Sequence, residues 1–141
     1  MSRYTCFQIN GIYFGIELNY VQEIIQIPKI TKLPNTFPYI LGIFSLRGEF
    51  LPLFDIGYIM GLEKTELGEE SKCIIIKDEL FSYGIISTEL LKLVEVDENN
   101  LKADQMGVPP NAKRFVKGYI REGEVKIFLI DIEKLSVSEE L

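Results

Sequence analysis

The sequence predicts an all-β chain made of two similar small barrels, and three observations lead there. Tyr4, Cys6 and Gln8 alternate with Thr5, Phe7 and Ile9 and run into Asn10-Gly11, the strongest short hairpin signal, before a second run at Ile12–Ile16. The same order of features then recurs in the second half of the chain. Helix signals are confined to two short stretches, each just after an aspartate.

Each element follows from local chemistry. After the first hairpin, Glu49–Asp55 reads as a strand, and Asp55 is placed to cap a turn of helix near Ile56–Leu62. Lys72–Lys77 and Leu80–Ile86 flank the polar Asp78-Glu79 and read as two strands joined by a tight turn. Glu124–Asp131 is a further strand, and Asp131 is placed to cap a short helix near Ile132–Leu135. Two polar connections remain. Glu63–Ser71 marks a boundary, and Val96–Asn111, stiffened by Pro109-Pro110, is expected on the surface.

The repeat can be followed residue by residue. Phe14-Gly15-Ile16, then Val21 and Ile24, is matched at the same offsets by Tyr83-Gly84-Ile85, then Leu90 and Leu93. The stretch from Phe37 to Gly42 resembles Arg114 to Gly118, and Arg47-Gly48-Glu49 resembles Glu122-Gly123-Glu124. Each turn is followed by an apolar run that ends in aspartate, Asp55 or Asp131. These matches predict one domain over residues 1–141, made of two barrel halves at approximately 1–65 and 70–141, each burying one face of its strands, with a cleft at their junction.

Composition narrows the function. The 141 residues are enough to bury roughly 70% of the unfolded surface without staples. Cys6 and Cys73 are far apart, each is followed by an apolar residue and no histidine accompanies either, so both are read as small buried hydrophobes. Histidine is absent, which removes the commonest general base and imidazole ligand. No catalytic residue, metal ligand or cofactor site is expected. The net charge of −6 opposes phosphate binding, so no nucleic-acid partner is assigned, and Lys113, Arg114 and Lys117 are read as a solvated edge. Apolar runs are too short to cross a bilayer, and Met1–Asn10 lacks a leader's apolar core, so a cytoplasmic protein is expected. The polar end Ser136–Leu141 leads to the expectation of a free-standing chain.

The run Val21-Gln22-Glu23-Ile24, the pair Leu33-Pro34, the stretch Gly42-Ile43-Phe44-Ser45-Leu46-Arg47-Gly48 and the run Leu51-Pro52-Leu53-Phe54-Asp55-Ile56 together resemble the CheW family of chemotaxis adaptors over nearly the whole chain. The resemblance implies two fused SH3-like five-stranded barrels with little helix, no enzyme activity and no cofactor. It also implies a scaffold that links the cytoplasmic hairpin tips of chemoreceptors to the regulatory domain of the histidine kinase CheA, recruited to receptor arrays at the membrane. Two positions depart from the family pattern. Ser45 stands where asparagine commonly precedes Leu-Arg-Gly, and Ser87-Thr88 where Val-Asp is usual. A related surface-motility or other two-component pathway, or a peptide-binding SH3-like module outside chemotaxis, are the alternatives.

Residue by residue, the resemblance points to Val21, Glu23, Ser45, Leu46 and Arg47 as partner-binding positions. Arg47 follows an apolar run at a turn, where a guanidinium can grip a carboxylate with two hydrogen bonds. Glu23 is expected within salt-bridge reach of it. Val21 and Leu46 read equally well as core, and Gly42 and Gly48 as turn residues with positive φ.

Overall fold

Strand β1 (Ser2–Ile9) turns into β2 (Ile12–Glu17) through Asn10 and Gly11, at φ +49° and +86°. Positive φ at both central residues defines a type I′ turn, whose twist matches that of the flanking strands, as the Asn-Gly pair predicts. The computed structural model describes residues 1–77, 81–103 and 107–137. Within it follow β3 (Val21–Gln26), β4 (Ile40–Leu46), β5 (Glu49–Phe54) and helix α1 (Ile56–Ile59). The second half holds β6 (Lys72–Lys77), β7 (Ser82–Ser87), β8 (Glu89–Val96), β9 (Val116–Glu122), β10 (Val125–Ile130) and helix α2 (Ile132–Val137). Asp78-Glu79 and the last four residues lie outside the described residues.

The strands form two five-stranded sheets, ordered β8-β1-β2-β10-β9 and β3-β6-β7-β5-β4. Exchanging the halves, so that β1 and β2 stand for β6 and β7, β3 for β8, and β4 and β5 for β9 and β10, turns one order into the other. The expected boundary is nevertheless corrected: residues 1–65 and 70–141 are not each a barrel. Each half lends its first hairpin to the other half's sheet, so the second barrel is the continuous stretch from β3 to β7 and the first is assembled from both ends of the chain. The join in each sheet is a parallel pair, β2 with β10 and β5 with β7, in which Leu129 lies opposite Gly15 and Leu53 opposite Gly84.

Backbone bridges close each sheet on itself. The chain leaving β3 reaches β4 through Thr31 and Ile43, which exchange N–H···O bonds of 2.8 and 2.9 Å. The chain leaving β8 reaches β9 through Lys102 and Tyr119 in the same way, at 3.0 and 2.8 Å. Gly42 and Gly118 precede the bridged residues, at φ +149° and +154°. A Cβ on either would lie 2.4 Å from the Thr31 carbonyl oxygen or 2.5 Å from that of Lys102. Gly42 therefore sits within a strand, at an irregularity in the β4–β5 ladder, and not in a turn as its sequence context suggested. Its glycine identity comes from the close passage of another backbone.

Among the described residues, three cores follow from strand alternation. Tyr4, Cys6, Val94, Val96, Ile127 and Leu129 fill the first barrel, and Phe44, Leu51, Leu53, Cys73, Ile75 and Ile86 fill the second. The largest cluster lies between the barrels and joins Phe7, Phe14 and Phe128 to Ile74, Ile76 and Tyr83, with Phe54 alongside. The junction is thus packed rather than open as a cleft. The central strands bury both faces, and Cys73, Ile74, Ile75 and Ile76 are all fully buried. That explains why β6 reads as a continuous apolar run and not as an alternation.

The aspartates perform as read. Asp55 accepts the Tyr58 N–H at 3.3 Å, which caps α1, and Asp131 accepts the Lys134 N–H at 3.4 Å at the start of α2. Asp55 also takes the Thr65 N–H at 2.9 Å and the Thr65 hydroxyl at 2.7 Å, fixing the connection to β6 against α1. The supposed basic edge is corrected in one member. Lys117 is half-buried over the Tyr4 ring, at 5.0 Å, and lies 3.8 Å from Glu17.

Candidate functional site

Glu23 and Arg47 meet across the gap between β3 and β4, the two strands at either end of the second sheet's order. The Arg47 Nη2 donates to Glu23 Oε2 at 2.7 Å. The β3–β6 register slips by one residue between Val21 and Glu23, a bulge at Gln22. Bulges re-aim the side chains that follow them, and this one sends Glu23 over the gap. Its Oε1 is buried and has no hydrogen-bond partner among the described residues, which leaves Oε2 to hold the arginine.

Arg47 itself occupies a strained position. The turn from β4 to β5 has φ +47° at Arg47 and +85° at Gly48, nearly the values at Asn10 and Gly11. An arginine thus stands where asparagine is the natural choice for a left-handed backbone. The ion pair with Glu23 raises the Arg47 pKa. Arg47 keeps 62% of its side-chain surface in water against 29% for Glu23, so the cation is the more exposed member of the pair.

The other expected residues divide. Leu46 shares a shallow cavity of about 240 Å³ with Gln22, Arg47, Glu49 and Leu51, while also packing against the second barrel's core. Ser45 is exposed and lies opposite Phe50 on the same hairpin. Val21 is half-buried and packs against the inter-barrel core, so its core role is the one the structure displays. Sequence reasoning passed over Phe50, which is 74% exposed. Its signal was its phase: Leu51 and Leu53 point into the barrel, so Phe50 beside them must point out. A large apolar side chain in water on the hairpin that carries a tethered guanidinium has the composition of an interface centre.

Cys6 and Cys73 are fully buried and free, and burial pushes their thiols up to about 11 and about 12. They are packing residues with little thiolate at neutral pH. No group of three or more His, Cys, Asp or Glu side chains placed to hold a metal occurs among the described residues. No described helix is long and apolar enough to cross a membrane.

A double barrel presenting a braced cation and exposed apolar side chains from strand edges is a docking scaffold. The model of the CheW-like domain matches residues 3–140, and the chain belongs to that family. It is 26% identical to chemotaxis protein CheW of Treponema pallidum, over 96% of this chain and 82% of that one. It is also 26% identical to chemotaxis protein CheW of Bacillus subtilis, over 89% and 80%. Among solved structures it resembles scaffolding protein TtCheW from Thermoanaerobacter tengcongensis, with a TM-score of 0.83, 25% identity and coverage of 93% and 84%. The class is that of the chemotaxis coupling adaptors, and the double-barrel fold read from the sequence is the fold found.

Proposed function

We propose that the chain couples the cytoplasmic hairpin tips of chemoreceptors to the regulatory domain of the histidine kinase CheA, transmitting the signal through contacts rather than chemistry. It works in the cytoplasm, drawn to receptor arrays at the membrane, and needs no cofactor. The observation that carries this reading is the Glu23–Arg47 pair, held across a barrel gap by a β-bulge on one side and a strained turn on the other. An exposed ion pair stabilises a fold little, so two local distortions are more than stability requires. They suit a guanidinium that must be aimed at a partner.

The docking face supported by this geometry comprises Arg47 and Glu23 with Ser45 and Leu46, and Val21 lies at its inner edge. Each interface of such an adaptor buries about 800 Å² per partner, with an apolar centre and a charged rim. Calorimetric titration against the CheA regulatory domain and, separately, a receptor hairpin fragment tests the reading. Binding at micromolar affinity or tighter to both is expected, and Arg47→Glu should lose one of them at least tenfold while melting within a few degrees of the parent. Absence of binding to both by the folded protein would remove the proposal.

A further inference from the structure

Asn10-Gly11 makes the β1–β2 turn, and the same dipeptide is the one in which a chain most readily attacks its own side-chain amide. Of the six asparagines, only Asn10 is followed by glycine, whose nitrogen has no neighbouring side chain to shield it. A Cβ on Gly11 would meet nothing within 4 Å, so the turn stands open to water. Asn35 shares the left-handed backbone, at φ +57°, but is followed by the β-branched Thr36.

The fold tethers both groups that would have to react. The Gly11 N–H, the nucleophile, donates to Gln8 Oε1 at 3.2 Å, and Gln8 is itself fixed by donation from its Nε2 to Glu89 Oε2 at 2.7 Å. The Asn10 Nδ2, the leaving group, donates to the Glu63 carbonyl at 3.1 Å and to that of Lys64 at 3.4 Å. The backbone between them is held as well, because the Asn10 N–H donates to the Thr88 hydroxyl at 3.0 Å. Ring closure therefore needs the turn to let go of Gln8 and of the 63–64 carbonyls together. The same amide contacts fasten the start of the connection between the halves to the hairpin, next to Thr65, which Asp55 holds.

We propose that Asn10 is a site of covalent self-modification, reached when the turn opens, and that its acidic product frees Glu63 and Lys64 from the hairpin. The Gly11 nitrogen gives its proton to water and bonds to Asn10 Cγ, while the Cγ–Nδ2 bond breaks and the amide nitrogen leaves as ammonia. That closes a cyclic imide. Water then adds to one imide carbonyl and breaks its bond to the Gly11 nitrogen: opening at Cγ gives aspartate, and opening at the backbone carbonyl gives isoaspartate, with the chain running through Cγ. Aspartate puts an acceptor where the amide donated to two carbonyl oxygens, so those contacts become repulsive. Isoaspartate lengthens the backbone of a two-residue turn whose flanking residues, Ile9 and Ile12, are paired. The reaction does not depend on the coupling function.

The test incubates the full-length chain in mildly alkaline buffer, folded and in urea, and follows the peptides carrying Asn10 and Asn35 by mass spectrometry, with isoaspartyl methyltransferase labelling for the isomerised product. Asn10 should convert about tenfold or more slowly in the folded chain, because the reaction waits for local opening. Asn35 should lag behind Asn10 in urea. Folded Gln8→Met, which removes the acceptor for the Gly11 N–H, should convert several-fold faster than the parent. Limited trypsin digestion reads the release: folded Asn10→Asp should be cut after Lys64 several-fold faster than the parent. Equal rates folded and in urea, a parent-like rate in Gln8→Met, or conversion of Asn35 alongside Asn10 would overturn the protected site, and parent-like cutting after Lys64 would overturn the release. Should either variant fail to fold, the parent converted in urea and refolded takes the trypsin comparison in its place, and its folded and unfolded rates still decide the site.

Discussion

Arg47 shows how far a residue's setting can be read from its neighbours and where reading stops. Leu46 before it and Gly48 after it identify a turn, and its charge suggested a carboxylate at Glu23, which the structure places at 2.7 Å. The left-handed backbone was not legible, because Arg-Gly is no hairpin signature and φ +47° is tolerated here only within a closed turn. Lys92 of β8 and Glu122 of β9, an ion pair at 3.0 Å, escaped for a related reason: one-residue bulges leave no mark in a hydrophobic pattern, yet they decide which charges meet between strands. The cysteines were legible from their apolar neighbours, and their burial has a pH consequence. The folded state holds the Cys6 and Cys73 protons up to about pH 11 and about pH 12, against an ordinary thiol value of 9.0. A group whose folded pKa is raised supports the fold below its unfolded pKa and loses that support as pH climbs to the folded value. Stability measured by urea titration should therefore fall progressively from about pH 9 to about pH 11, with both thiols unreactive toward an aromatic disulfide reagent until unfolding begins. Rapid native labelling of either thiol at pH 8 would contradict the packing described.

Among the elements, hairpins and capped helices were legible while single edge strands were not. Asn10-Gly11 announced β1 and β2, and Asp55 and Asp131 announced α1 and α2. β8, by contrast, reads Glu-Leu-Leu-Lys-Leu-Val-Glu-Val, in which a bulge opposite β1 breaks the alternation that would identify a strand. Glycines inside strands mark where elements press together, and the two equivalent ones differ in how tightly. A Cβ on Gly84 would meet Cys73 Sγ at 2.8 Å and Leu53 and Phe44 at 3.0 Å, whereas on Gly15 its nearest neighbour is one Leu129 methyl at 3.0 Å, with Cys6 Sγ at 3.6 Å. Overpacking a filled core costs about 1–3 kcal/mol. Gly84→Ala should fall within that range, and Gly15→Ala should cost less because a single leucine can shift. Chemical denaturation of the two variants checks the order, and equal losses would mean that the two barrels are packed alike.

At the scale of the whole molecule, the class and the repeat could be read, and the partition of the strands could not. Matching Gly15 with Gly84 and Asp55 with Asp131 locates equivalent residues but says nothing about which hairpin completes which barrel. That depends on the parallel joins of β2 with β10 and β5 with β7, long-range contacts without a local signature. The interlacing makes a prediction that separate barrels would not. Cutting the chain once within Glu63–Ser71, at an inserted protease site, should leave both fragments together at the parent's size in gel filtration, parting only in denaturant. Separation of the cut fragments in native buffer would require each half to be a closed barrel.

The same interlacing orders events in time. During synthesis β1 and β2 emerge first, yet β1 pairs with β8 and β2 with β10, which are among the last strands to be made. β3 to β7 form a complete sheet in one uninterrupted stretch and need nothing that follows β7. The opening hairpin must therefore wait, with one face of Phe7, Phe14 and Ile16 shielded only by the barrel growing behind it, until the end of the chain arrives. Of the described strands, the first pair to be made is the last to be fitted.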